Sequence, residues 1–140
     1  MSGGAPACAD VESAVTGVLP DYRLDRDPAL SDLGGMTMCF FTKSGGTLAD
    51  GFSMSLTRSR QTAEQITRTR DYLESSKPGQ VVDSPAAAHL NGYISEPLGD
   101  GNLALTTPAV QVAFIATGGA GPTRQQIVDT LVAIGTVLAH

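Results

Sequence analysis

Apolar residues are densest, in the first half of the chain, in the run Gly35-Met36-Thr37-Met38-Cys39-Phe40-Phe41-Thr42. Its side chains alternate between two faces, with Met36, Met38 and Phe40 on one and Thr37, Cys39 and Phe41 on the other. That is the pattern of an inner strand covered on both sides. Beyond Lys43-Ser44-Gly45-Gly46, Phe52-Ser53-Met54-Ser55-Leu56-Thr57 alternates apolar with small polar residues and predicts the second arm of an antiparallel hairpin with one face toward water. The period becomes helical elsewhere. In Asp10–Leu19, Val11, Ala14, Val15 and Val18 share a face between an N-cap at Asp10 and a stop at Pro20. Ser59–Glu74 carries a narrow stripe of Ala63, Ile66 and Leu73, with Glu64/Arg68 and Arg70/Glu74 spaced as i,i+4 ion pairs on a solvated face. Near the C-terminus, Ile127, Leu131, Ile134 and Leu138, widened by Val128, Val132 and Val137, predict a broadly buried helix.

The remaining segments read as strands and turns. Tyr22-Arg23-Leu24 and Gln80-Val81-Val82 are short strand candidates. Ser84-Pro85 interrupts before Ala87–Ser95, which is expected to be a strand with Leu90 and Ile94 on one side and His89, Asn91 and Tyr93 on the other. Pro97–Asn102 is a strong turn. Leu103–Thr107 and Ala109–Thr117 follow as strands, with a bulge or sheet edge expected at Pro108, which has no N–H to donate. Together these predict an α+β fold: a curved antiparallel sheet of about five to six strands with an N-terminal, a middle and a C-terminal helix, in the order α-β-β-α-β-β-β-α. A chain of 140 residues is long enough for one self-sufficient core. Residues 1–7 read as a flexible spacer and 8–140 as the domain.

Charge and chemistry narrow the functional classes. The net charge of −5, with no lysine and arginine cluster, argues against a nucleic-acid or anionic-membrane surface. No apolar run is long enough to span a bilayer. Cys8 and Cys39 are the only cysteines, and the only histidines, His89 and His140, stand at no ligand spacing from them, so zinc is not expected. The two cysteines read as a disulfide, the alternative being two separate buried thiols. Closing such a loop would remove about 3.5 kcal/mol of unfolded-state freedom. Ala5-Pro6-Ala7 is not a lipobox, so lipidation of Cys8 is disfavoured, and Met1–Ala7 lacks the features of a signal peptide.

Asp21, Asp25, Asp27 and Asp32 lack the order of a calcium loop and read as solvated turn residues. Gly118–Thr123 lacks the lysine and the third glycine of nucleotide-binding loops, and Pro122 removes a donor, so it reads as a turn into the last helix. No metal, cofactor or catalytic residue is expected. His89, Asn91 and Tyr93 on one strand face would supply two hydrogen-bonding groups and an aromatic, a mix that ligand sites use.

Ala7-Cys8-Ala9-Asp10-Val11 ahead of the first helix, then Met38-Cys39-Phe40-Phe41 in the first long strand, then a hairpin, a middle helix and a terminal amphipathic helix, resembles the small extracytoplasmic lipoprotein and sensor domains of actinobacteria. The resemblance implies export, a curved antiparallel sheet packed by helices, and binding of a ligand or protein rather than catalysis. The function expected is that of a monomeric secreted or cell-envelope binding domain, anchored if at all through a removed N-terminal segment. The alternatives are an immunity or inhibitor-type protein that caps a partner and, less favoured, a small hydrolase.

Overall fold

The computed structural model describes residues 8–24, 36–43, 51–59, 61–76, 79–82, 84–96, 102–116 and 123–138. Its elements are α1 (Cys8–Val18), β1 (Tyr22–Leu24), β2 (Met36–Lys43), β3 (Phe52–Arg58), α2 (Ala63–Ser76), β4 (Val81–Val82), α3 (Pro85–His89), β5 (Tyr93–Ser95), β6 (Ala104–Thr106), β7 (Val110–Ala116) and α4 (Arg124–Leu138). The expected α+β fold is present. The strands form one seven-stranded sheet in the order β1-β2-β3-β7-β6-β5-β4, antiparallel at every pairing. The strand count exceeds the five to six expected, and α3 is an additional helix.

The predicted hairpin forms between β2 and β3, with Cys39 opposite Met54 and Phe41 opposite Phe52. β3 then pairs along its whole length with β7, setting Met54 against Phe114 and Leu56 against Val112. Residues directly opposite share a face, so Cys39, Phe41, Phe52, Met54, Leu56, Val112, Phe114, Leu105 and Ile94 form one continuous buried surface. Phe52 lies at its aromatic centre, with ring centroids 5.2 Å from Tyr22, 5.2 Å from Phe41 and 4.3 Å from Phe114.

Two helices cover this surface. α1 supplies Val11 and Val15 and α4 supplies Ile127, Leu131 and Ile134 to the same core, and the two helices pack against each other as well as on the sheet. α4 comes close to β6: a Cβ at Gly135 would lie 2.7 Å from a Leu105 methyl and 2.9 Å from one of Leu90. Cys8 and Cys39 form a disulfide with Cα atoms 5.6 Å apart, which ties the start of α1 to β2. α1 begins at Cys8, so Asp10 lies in its first turn, where a carboxylate still complements the helix dipole.

The opposite face of the sheet has a different composition. Ser53, Ser55 and Thr57 of β3 stand beside Ala113 and Gln111 of β7. Ile115 there is 41% exposed, and Met36, Met38 and Phe40 are half-buried. The strand expected to be covered on both sides is therefore fully buried only on its Thr37, Cys39 and Phe41 face.

Three expectations are corrected. Ala87–Ser95 is not one strand. Its first part is α3, capped by the Ser84 side chain, which accepts from the Ala87 N–H at 3.2 Å, with Pro85 in the first turn. The helix ends when Asn91 takes φ 59°, with the Asn91 N–H donating to Ala88 O and the Gly92 N–H to Ala87 O, both at 3.0 Å. This paired arrangement is the Schellman end of a helix. α2 starts at Ala63 rather than Ser59, because Thr62 and Gln65 form a reciprocal capping box, Gln65 N–H to Thr62 Oγ1 at 3.1 Å and Thr62 N–H to Gln65 Oε1 at 2.9 Å. Pro108 marks neither a bulge nor an edge. It sits in a tight turn between β6 and β7, where the Thr107 hydroxyl accepts from the N–H groups of Ala109 and Val110 at 3.2 and 3.0 Å. The spacer 1–7, Asp25 to Asp32, the loop Pro97 to Gly101 and Gly118 to Pro122 lie outside the described residues.

Candidate ligand cavity

α2 leads from β3, in the middle of the sheet, to β4 at its edge, and packs chiefly on that edge strand. Ile66 is its one buried residue, and Tyr72 is 62% exposed. A helix with so narrow an apolar stripe cannot close down over the β4 end of the sheet. A cavity of about 300 Å³ remains between α2, β4, α3 and β5.

Each wall has a local cause. Arg70 and Glu74 project from the same side of α2, one turn apart, and Val81 is presented by β4. Ser84 and Ala88 reach the cavity because the Ser84 cap and Pro85 fold this segment into a helix. Gly92 permits the chain to pass directly into β5, since a Cβ there would lie 2.1 Å from Thr106 O. The next residue, Tyr93, pairs with Thr106, is 8% exposed and lines the cavity.

The polar groups are incompletely satisfied. Arg70 Nε is buried and has no hydrogen-bond partner among the described residues. Glu74 Oε1 lies 3.6 Å from it, and the Asp71 carboxylate 3.6 Å from the other end of the guanidinium, both beyond hydrogen-bonding distance. The Tyr93 hydroxyl makes no hydrogen bond to a described residue. Buried donors are nearly always paired, which makes the Arg70 Nε an exception among the described residues. The arrangement can bind and orient a small polar molecule. Among the described residues no three His, Cys, Asp or Glu side chains come together as a metal site.

The residues singled out in the sequence are separated. His89 ends α3 and is exposed, Asn91 is the exposed turn residue at positive φ, and Tyr93 is buried in β5. They do not share a strand face, because the helix end intervenes between His89 and Tyr93. Of the three, only Tyr93 lines the cavity. Arg70 and Glu74, read from the sequence as a solvated ion pair, are with Ser84 its other polar walls. Arg70 falls at i+4 from Ile66 and three residues before Leu73, inside the apolar stripe of the helix, and that position was the available signal. No family model, curated protein or solved structure matches the chain.

Proposed function

We propose that the chain is a non-enzymatic binding domain of the secreted or cell-envelope class, and that it holds a small ligand in the cavity between α2, β4, α3 and β5. The observation that carries this reading is a cavity lined together by Arg70, Glu74 and Tyr93, with the Arg70 Nε buried and unpartnered among the described residues. Small-molecule sites use a few placed polar groups to orient the ligand, and in this cavity Arg70, Glu74 and Tyr93 are such groups beside Val81, Pro85 and Ala88. The disulfide supports placement in an oxidising compartment, as does the resemblance of the Cys8 and Cys39-Phe40-Phe41 segments to actinobacterial extracytoplasmic domains.

Capping of a protein partner is the second reading, favoured by Ile115 and the half-buried Met36, Met38 and Phe40 on the other sheet face. Titrating the isotope-labelled domain with cell-envelope extract and following its amide shifts separates the two. Shifts clustered at Arg70–Glu74 and Gly92–Ser95 support the cavity. Shifts confined to Ser53–Thr57 and Gln111–Ile115 support the protein partner and overturn the small-ligand assignment.

A further inference from the structure

The charges around the cavity restrict what fits it, and, building on the small-ligand reading above, the geometry points to a small zwitterion, a molecule of the free amino acid type, as the ligand class. Arg70 is flanked by two carboxylates, Glu74 and Asp71, each 3.6 Å away. The three groups together carry one net negative charge, so a simple anion would meet Glu74 at close range and be repelled. A simple amine would be drawn to Glu74 yet leave the exposed part of the Arg70 guanidinium and the Tyr93 hydroxyl without an acceptor. A neutral polyol would add no charge-assisted bond to either the guanidinium or the carboxylate. A molecule bearing a carboxylate and an ammonium a few ångströms apart satisfies all three positions. Its carboxylate accepts from the part-exposed Arg70 guanidinium and from Tyr93 O–H in charge-assisted bonds, and its ammonium donates to Glu74. The volume of about 300 Å³ is at the small end for ligand sites, and Val81, Pro85 and Ala88 on the walls suit a short apolar side chain.

The test uses the whole chain and three probes of one shape: L-valine, its deaminated form 3-methylbutanoate and its decarboxylated form 2-methylpropylamine. The Arg70 Nε–H and Tyr93 ring resonances report binding. L-valine is expected to shift both at concentrations at least tenfold below either analogue, and Tyr93→Phe to weaken it several-fold. Glu74→Gln, with an amide spectrum otherwise unchanged, is expected to abolish the preference for valine over 3-methylbutanoate. Equal response to valine and 3-methylbutanoate would overturn the zwitterion assignment in favour of an anion site. Silence toward valine, when envelope extract still shifts Arg70 and Tyr93, would overturn the ligand class and leave the cavity as the site. Silence toward both would overturn the cavity itself.

Discussion

α2 and α4 are nearly the same length, 14 and 15 residues, and both open with the same device. Thr62 and Gln65 cap α2, and Thr123 and Gln126 cap α4 with matching bonds of 3.2 and 2.9 Å. Yet α4 buries Ile127, Thr130, Leu131, Ile134 and Gly135, whereas α2 buries only Ile66. The caps set where each helix begins, and the width of the apolar stripe sets how firmly it docks. In α4 the stripe is continuous, and Gly135 lets the backbone close onto Leu105. In α2 the stripe narrows to Ile66 and Leu73, with Arg70 between them, and the space that the helix leaves unfilled is the cavity. The wide stripe thus anchors α4 in the core, and the proposed site lies beside the loosely docked α2.

The comparison can be strained by substitution. Leu131→Ala should cost about 2–5 kcal/mol, whereas Leu73→Ala, at a half-buried position, should cost about 1 kcal/mol; chemical denaturation of both variants tests the contrast. Replacing both cysteines by serine frees α1, the packing partner of α4, from β2 and should cost about 2–4 kcal/mol. The resonances of Arg70 and Tyr93 should be little changed in that variant at temperatures where it stays folded. Thr62→Ala removes the α2 cap for about 1 kcal/mol, read as lost helicity by circular dichroism combined with denaturation. Tyr72→Ala, on the exposed side of α2, should change stability by no more than about 0.5 kcal/mol.

The β2–β3 hairpin, the α4 stripe and the Cys8–Cys39 pairing were legible because each rests on a local period or on the only available partner. The insertion of β7 between β3 and β6 was not, since a pairing such as Met54 with Phe114 leaves no mark within either strand. α3 was misread for a different reason. Five residues are too short to show a helical period, and its signals lie at the ends: Ser84 and Pro85 before it, Asn91 and Gly92 after. The candidate site was legible in outline, as the part of the sheet covered least well by the middle helix. Its residues were not, because an arginine at i,i+4 from a glutamate reads as a solvated pair until its Nε is found buried.

Native-state hydrogen exchange measures most directly how much more loosely α2 is held than α4. Amides in the middle of α4, around Leu131, should exchange only through global unfolding. Those around Arg70 in α2 should exchange through a local opening of clearly lower free energy, with denaturant dependence smaller than that of the global reaction. Equal protection and equal denaturant dependence in the two helices would contradict the account.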